Sequence, residues 1–267
     1  MAFSPLSLES HGSALWRRPT DFQFAAKDLT CPISLSEMGQ AMKYFPIGFV
    51  LSGKNYEPVV ILGCQSDQNL FIGLDGRWVG GYLPIRYKSF PFSLLPIAND
   101  AGEIDTDKMA LCLDDNFQLS PDAASGERIF ADDGGLAEFV TTVSEQLSKY
   151  NNSIKQSLRC TALLDQMGLL KPWDTAVNLD DRKIAFNGLY CVDELALKQL
   201  PGQSLVELVE SDGLPLAYMQ LISMENLARF PSLIAAHEKA RNISSPDLDD
   251  LTFDDSGNNE MINLDNL

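Results

Sequence analysis

The chain has 267 residues, of which 45% are hydrophobic and 21% are charged. This content is sufficient for a sizeable core, arranged either as one large domain or as two small ones. Its 37 acidic residues outnumber its 20 lysines and arginines, which gives a formal net charge of −17. Nucleic acids and anionic membrane surfaces require clustered positive charge, so neither is an expected partner.

Three further features bear on location. No apolar run reaches the roughly 18 residues of a membrane-spanning helix, so no membrane insertion is expected. In residues 1–19 the apolar residues precede the Arg17-Arg18 pair, whereas a secretory signal places its basic residues first. The five cysteines are widely spaced and form no CxxC pair, which is typical of free thiols in a reducing compartment. These features predict a cytoplasmic protein with neither a disulfide framework nor a zinc site.

In chain order, an irregular N-terminal arm precedes a short helix over residues 36–44, which Ser34 or Ser36 caps and Pro46 ends. The part that follows is expected to be rich in β-structure. Apolar segments between turn-forming residues predict strands there at 46–51, 58–64, 90–97, 108–113 and 127–130, with a turn at 99–102. Strands at this spacing, without long helices between them, favour a mostly antiparallel sheet or an open barrel.

The segment of residues 69–92 is expected to form the centre of this sheet. Asp75-Gly76 lies between two apolar runs, and this dipeptide is the strongest short-range signal for a hairpin. Gly80-Gly81 then predicts a bulge or a close approach of another part of the chain. We expect a twisted sheet here, around which the rest of the chain folds.

At about residue 134 the pattern becomes helical, because apolar residues begin to recur at three- and four-residue steps. This spacing predicts a long amphipathic helix over 134–168, either continuous or broken at Asn151-Asn152. Such a helix can bury one stripe against a sheet, which is the usual α+β arrangement. A small hairpin is expected next, pairing 176–179 with 184–192.

Further helices follow the predicted hairpin. Asp193 is expected to cap a helix that ends near residue 200. Ser204 and Glu207 have the spacing of a capping box for the next helix. A last helical region at 214–240 is divided by Pro231.

From Asn242 onward the chain contains no lysine or arginine, and the composition turns to Ser, Pro, Asp, Asn and Gly. Residues 243–267 are therefore expected to form a disordered acidic tail. The predicted fold class is α+β. It comprises one domain over 1–242, β-rich at 45–132 and helix-rich at 134–242, followed by the tail.

Five segments resemble the bacterial SapC family and occur in the family's order: FPIGFV (45–50), NLFIGLDGRWVGGYLPIRYKSFPF (69–92), TALLDQMGLL (161–170), GLYCVDELALKQL (188–200) and GLPLAYMQLISMENLARF (213–230). The resemblance implies no established enzymatic activity. Members tend to be encoded beside TonB-dependent receptors, flavin-dependent tryptophan-halogenase-like proteins and cupin-like proteins, which implies an accessory role near uptake or modification systems. Two positions depart from the family's pattern. Gly73 stands where the resemblance leads us to expect an acidic residue before the Asp-Gly turn, and Gln220 stands where relatives often carry a histidine.

The residues that could bind a metal or a cofactor form no specific motif. His11 lies in the N-terminal arm and His237 on a late helix expected to be exposed, and nothing in their spacing brings them to one metal ion. The acidic pairs lack the spacing of a calcium loop and are explained as turn residues: Asp114-Asp115, Asp132-Asp133 and Asp180-Asp181. The glycines of residues 73–81 do not form GxGxxG before a helix, so no nucleotide or other cofactor is expected.

Among the cysteines, Cys160 is the most plausible reactive thiol because Arg159 precedes it on the long helix. Cys64, Cys112 and Cys191 are expected to pack as inert thiols inside apolar strands.

Two regions are candidates for binding. The first has the composition of a binding hot spot and consists of Arg77, Trp78, Tyr82, Arg86 and Tyr87. Packing of Trp78 and Tyr82 in the core is the alternative interpretation. The second region is the tail, where Leu251 and Phe253 interrupt the acidic residues and could anchor it in a partner's basic groove. A tail that only solvates the protein is the alternative there.

We therefore expect a non-enzymatic, cytoplasmic accessory protein that binds another protein, associated with nutrient-uptake or oxidative-modification systems. The alternative is an enzyme or enzyme subunit that modifies a peptide or small molecule, together with flavin-dependent halogenase-like or cupin-like partners. Polar groups clustered in a cavity beside Asp75, Arg77 and Tyr82 would favour the enzyme. An apolar-filled interior at this place would favour the binding protein.

Overall fold

The computed structural model describes residues 2–64, 67–98, 104–120, 126–174, 176–179 and 182–244. The strands are β1 (Phe3–Pro5), β2 (Leu15–Trp16), β3 (Thr30–Pro32), β4 (Ile47–Ser52), β5 (Asn55–Ile61), β6 (Phe92–Ala98), β7 (Ile104–Asp114), β8 (Glu127–Arg128), β9 (Leu170–Pro172), β10 (Ala176–Leu179), β11 (Arg182–Ala185) and β12 (Leu189–Val192). The α-helices are α1 (Leu8–His11), α2 (Leu35–Ala41), α3 (Ile85–Lys88), α4 (Glu138–Gln166), α5 (Glu194–Lys198), α6 (Gly202–Glu210), α7 (Gly213–Ser223) and α8 (Phe230–Ser244). All described strand pairs are antiparallel, and the predicted α+β class is confirmed.

The largest sheet has five strands in the order β3-β5-β4-β12-β9. The β4–β5 hairpin supplies its centre, with Ser52 paired to Asn55 at the tip. The predicted single strand 184–192 is wrong, because it is divided into β11, which pairs with β10, and β12, which pairs with β4 and β9. Between them the buried ring of Phe186 turns into the core, where it contacts Trp173 and Phe230. The helix-rich half thus contributes strands to the main sheet.

Helix α7 closes a gap in this sheet with the side chain of Gln220. Strands β4 and β12 pair at Leu189–Val50 and Tyr190–Phe49 only. Beyond that point the Gln220 amide donates to Ile47 O (3.1 Å) and accepts from Val192 N (3.0 Å). Gln220 is fully buried, so both backbone groups are satisfied where no solvent reaches them.

The long helix α4 is continuous through Asn151 and ends just before Gly168, as the periodicity predicts. A row of hydroxyl groups spaced four residues apart attaches it to α2 and to strand β5 of the main sheet. Ser153 accepts from Ser36 N (2.9 Å) and Ser157 from Leu35 N (2.7 Å), so α4 satisfies the first amide groups of α2. One turn further on, Thr161 donates to the backbone of β5.

The first half of α4 covers a second, smaller core. A three-stranded sheet in the order β1-β7-β6 forms its other wall. Its buried residues are Trp16, Phe92, Leu113, Ile129, Phe130, Val140, Val143 and Leu147. Asn151 joins the two regions, because its side-chain amide donates to Leu94 O of β6 (3.0 Å). The amphipathic helix therefore packs on both sheets at once.

Residues 69–92 do not form the sheet around which the chain folds, and that prediction is wrong. The Asp75-Gly76 turn is present: Gly76 has φ +80°, and Gly73 N donates to Arg77 O (2.8 Å). Only one bridge follows, between Ile72 and Trp78. Trp78 turns inward onto an aromatic cluster instead of continuing a ladder.

Two of the three predicted helix N-terminal caps are confirmed. Ser34 caps α2, and Asp193 caps α5 by accepting from Leu195 N and Ala196 N. The predicted capping box of Ser204 and Glu207 is wrong, because α6 already begins at Gly202, directly after Pro201.

The predicted turn at 99–102 and most of the predicted tail lie outside the described residues. Within those described, no helix combines the length and the apolar character needed to cross a bilayer.

We predict that Gln220→Leu destabilises the protein by about 2–5 kcal/mol, because two buried backbone groups each lose a partner worth roughly 1–3 kcal/mol. Urea unfolding followed by circular dichroism measures the change. Ile222→Ala on the same helix is the matched control, since Ile222 is 57% exposed and its loss should cost under about 0.5 kcal/mol. Equal effects of the two substitutions would contradict this role of Gln220.

Candidate binding cleft

The N-terminal arm and the segment around α3 meet at a pair of stacked rings. Phe24 and Phe90 lie with centroids 3.8 Å apart and planes within 9° of parallel. Three adjoining cavities share both rings as lining. We call these cavities together the Phe24–Phe90 cleft. Each ring is only partly buried, so the stack presents apolar surface to whatever occupies the cleft.

The first cavity, of about 320 Å³, lies between β3 and α3. Its polar lining includes Asp28, Thr30 and Arg86. Asp28 Oδ2 accepts from the hydroxyl of Tyr87 at 2.8 Å. Burial raises the pKa of the Asp28 carboxyl, while the Tyr87 hydrogen bond and the nearby Arg86 lower it. Burial also raises the pKa of Tyr87, so it donates as a neutral phenol.

The other two cavities, of about 410 and 630 Å³, continue along the arm. Arg18 lines both of them, Lys88 lines the smaller, and Arg17 and Phe117 line the larger. The Arg18 guanidinium lies 4.5 Å from the centroid of the Phe139 ring, which holds that cation at the entrance.

Positive charge is concentrated around this cleft. Its cations are Arg17, Arg18, Arg86 and Lys88, all exposed. In the part of the chain that the structure describes, none of the four forms a salt bridge. The acidic side chains among the lining residues are Asp28 and Asp21. The cleft is thus locally basic on a protein whose formal net charge is −17.

The carboxylate of Glu37 holds the wall of the cleft in place. Glu37 is 2% exposed and accepts four hydrogen bonds. Oε2 accepts from the amide and hydroxyl of Ser34 (3.0 Å each). Oε1 accepts from the Tyr82 hydroxyl (3.0 Å) and from Ile85 N, the first amide of α3 (2.8 Å). The Glu37 carboxylate, which belongs to the capping box of α2, therefore also positions α3, which carries Arg86, Tyr87 and Lys88.

Aromatic packing fills the space behind this wall. Trp78 contacts the rings of Phe22, Phe45, Phe71 and Tyr87 at centroid distances of 5.8–6.1 Å. Its indole nitrogen donates to Tyr82 O (2.9 Å). Trp78 is thus a supporting residue and not an exposed contact.

A glycine makes room for this packing. A β-carbon at Gly81 would lie 2.2 Å from the Tyr44 ring, so the close approach predicted at Gly80-Gly81 is to a side chain. Any larger residue at this position would displace Tyr44.

Of the seven predicted binding residues, the structure brings three together in the cleft, while Trp78 packs behind its wall. Tyr82, Arg86 and Tyr87 line the cleft. Arg77 points elsewhere and pairs with Asp75 in solvent (3.3 Å, side chains 82% and 61% exposed). The other two predicted residues, Leu251 and Phe253, lie outside the described part of the chain.

Sequence reasoning missed the contribution of the N-terminal arm. Phe24, Arg17 and Arg18 lie in a segment that was expected to be irregular. The arm does contain only short elements. A signal was nevertheless available, because two arginines and two phenylalanines occur within eight residues of an acidic chain.

The histidines do not converge on a metal site. His237 was expected to be exposed, which is wrong: it is buried against the segment of residues 69–92, with Nε2 3.1 Å from Leu70 O. His11 Nδ1 accepts from Ser7 N within the arm. Over the described ranges, no group of three or more His, Cys, Asp or Glu side chains could hold an ion.

Cys160 is fully buried, and its thiol donates to Ser211 O (3.0 Å). Burial raises its pKa to about 11, which is opposite to the shift that a reactive thiol requires. Burial likewise raises the pKa of Cys64, Cys112 and Cys191. Cys112 and Cys191 lie in strands as expected, whereas Cys64 follows the end of β5.

Two of the three acidic pairs lie in turns, as predicted. Asp114 accepts from Asn116 N, and Asp133 accepts from Gly135 N. Asp132 pairs with Arg128. Asp180-Asp181 lies outside the described residues.

Comparison with known proteins identifies the family. The SapC family model matches residues 6–230. The chain belongs to the SapC family. Both walls of the cleft, the arm and the α3 segment, lie inside the matched range. No curated protein matches this SapC protein, and no solved structure does.

The two positions at which the resemblance leads us to expect other residues, Gly73 and Gln220, lie outside the cleft. Gln220 bridges two strands of the main sheet. A β-carbon at Gly73 would lie 2.7 Å from Asp75 Oδ1 in the exposed turn. Neither residue lines a cleft cavity of this SapC protein.

We predict that Glu37→Gln lowers the free energy of unfolding by about 1–3 kcal/mol, because a carboxamide presents one acceptor oxygen where four donors converge. Tyr82→Phe removes one donor and should cost about 1 kcal/mol. Chemical denaturation of both variants measures these changes, with Glu207→Gln on the exposed surface as the control. A loss for Glu37→Gln no larger than for Glu207→Gln would contradict the account of the wall.

We predict a specific pH dependence from Asp28. Because burial raises its pKa in the folded state above the ordinary 3.8, the protonated carboxyl stabilises the fold. That contribution is complete below pH 3.8 and is lost as pH rises through the folded-state pKa. The unfolding free energy of the wild type, relative to Asp28→Asn, should therefore fall as pH rises from 3.8. A difference that is constant or grows with pH would show that the carboxyl is not desolvated.

Proposed function

We propose that this SapC-family protein is a non-enzymatic accessory protein of the cytoplasm that binds another protein. Its Phe24–Phe90 cleft would hold an extended segment that carries carboxylates together with aromatic or large apolar side chains. The observation that carries the proposal is the combination of a stacked ring pair with four exposed cations on a strongly acidic molecule.

The chemistry of the lining supports this class of ligand. Aromatic rings and arginines are the residues that contribute most at protein interfaces. Guanidinium groups bind carboxylates through paired, charge-assisted hydrogen bonds. A peptide that crosses the ring stack would place successive side chains in different cavities, with apolar groups on Phe24 and Phe90 and carboxylates near Arg18 and Arg86.

The pattern of charge also favours a protein partner. With a net charge of −17, the protein as a whole repels acidic ligands, so an acidic segment is directed to the locally basic cleft. A nucleic acid would meet the same repulsion along its whole length. That the partner belongs to a nutrient-uptake or oxidative-modification system stays a hypothesis.

The alternative, an enzyme acting on a peptide or small molecule, has less support among the described residues. Asp75 and Arg77 pair in solvent, apart from the cavity that Tyr82 lines. The carboxyl in the cleft, Asp28, is engaged by Tyr87. The binding function is therefore the one that the geometry favours.

We predict that the double variant Arg18→Glu, Arg86→Glu loses a partner that the wild type captures. Tagged full-length protein would be incubated with lysate of the native host, and captured proteins quantified by mass spectrometry. A specific partner should fall at least roughly tenfold, because juxtaposed like charges cost several kcal/mol.

Arg159→Glu provides the control, since it makes one such charge reversal, half of the change in the double variant, on an exposed face of α4. It should retain the partner. Thermal unfolding of each variant establishes that the fold is intact. A partner captured equally by the double variant and the wild type would contradict the proposed role of the cleft.

A further inference from the structure

We propose that the chain's own C-terminal segment, residues 245–267, occupies the Phe24–Phe90 cleft and competes there with the partner. The inference rests on the proposed function, because it identifies an intramolecular ligand for the same site. Three observations carry it: complementary charge, complementary apolar side chains and reach.

The charges of the cleft and of the segment are complementary. The segment contains seven acidic residues and no lysine or arginine. The cleft presents Arg17, Arg18, Arg86 and Lys88, which form no salt bridge with any residue that the structure describes. Elsewhere in the described part of the chain, Arg77, Arg128, Lys171 and Lys198 each pair with a carboxylate.

The apolar side chains of the segment are spaced to use the ring stack. Leu251 and Phe253 are separated by a single residue and have Asp249-Asp250 on one side and Asp254-Asp255 on the other. In an extended peptide such a pair projects to the same face. One apolar pair flanked by carboxylates matches a cleft with stacked rings at its centre and cations at its rim.

The segment starts within reach of the cleft. The last described helix, α8, packs on the segment of residues 69–92, where Ala240 and Val79 line one small cavity. The neighbouring Trp78 contacts Phe22 and Tyr87, and both of these residues line the cleft. The 23 residues after Ser244 span at most roughly 75–80 Å when extended, whereas a folded chain of this size has a radius of gyration of roughly 18 Å.

A ligand attached to its own receptor acts at high effective concentration, on the order of millimolar for a short connection. Even a weak contact between the segment and the cleft would therefore be populated. An external partner must then displace it, so the segment would set a threshold for partner binding and would reject ligands with fewer carboxylates.

Carbodiimide cross-linking of the full-length protein tests this occupancy, because the reagent joins an amine directly to a carboxylate that touches it. Lys88 is the lysine of the cleft. Lys54 and Lys149 are exposed lysines that line no cleft cavity and serve as matched controls. Trypsin cleaves last after Arg241, so mass spectrometry would find residues 242–267 as one peptide attached to the lysine that it touched.

We expect Lys88 to be the dominant lysine linked to this peptide, in protein of monomer mass. The link should fall at least roughly tenfold in the double variant Arg18→Glu, Arg86→Glu, because the juxtaposed charges would repel. It should also fall in Leu251→Ser, Phe253→Ser, which leaves every described residue unchanged. Arg159→Glu should leave the link as it is.

Three results would overturn the inference. These are the absence of a Lys88 link, equal links from Lys54, Lys149 and Lys88, and a Lys88 link found only in protein of dimer mass, which would make a second copy the occupant. Cleft-dependent capture of a partner without the Lys88 link would overturn this inference alone. The Lys88 link without any cleft-dependent partner would overturn the proposed function alone.

Discussion

Four hydrogen bonds that converge on the buried carboxylate of Glu37 connect the start of one helix to the start of another. A carboxylate without a cation is costly in the interior unless donors replace its hydration. Ser34, Tyr82 and Ile85 supply those donors. Ser34 caps α2, which adjoins the main sheet, and Ile85 begins α3. The Glu37 side chain therefore fixes the cleft wall relative to the main sheet. The location of Arg86 therefore depends on a residue that does not itself line the cleft.

Helix α4 imposes a second constraint, on how the two sheets lie relative to each other. Its first half buries Val140 and Leu147 in the small core, and its second half binds α2 and β5 through Ser157 and Thr161. The cleft lies where the two sheets meet, since β3 supplies one wall of the first cavity and Phe92, at the start of β6, supplies another. A site at such a junction is preorganised by packing on both sides, which reduces the ordering cost of binding.

Local signals in the sequence were sufficient for several features and insufficient for others, for physical reasons. The cap at Asp193 and the turn at Gly76 depend on residues that are neighbours in the chain, so both could be predicted. The pairing of β12 with β4 depends on contacts between residues more than 130 positions apart, which no local pattern encodes. The same holds for the cleft: the sequence predicts a cap at Ser34 or Ser36, but neither the bond of Glu37 to Ser34 nor its bond to Tyr82. The aromatic and basic residues of the segment 69–92 indicated one wall of the cleft. The stacking of Phe24 on Phe90 could not be predicted, because it depends on the tertiary fold.

The central claim is that the Phe24–Phe90 cleft is the surface that contacts the partner. Hydroxyl-radical footprinting of the Leu251→Ser, Phe253→Ser variant, whose C-terminal segment should leave the cleft open, alone and in complex with a captured partner, tests this most directly. Phe24, Phe90 and Phe117 should be oxidised more slowly in the complex, whereas Tyr218, 47% exposed on α7, should react at the same rate in both. Unchanged oxidation of the cleft phenylalanines, with protection appearing at Tyr218 or elsewhere, would contradict the account.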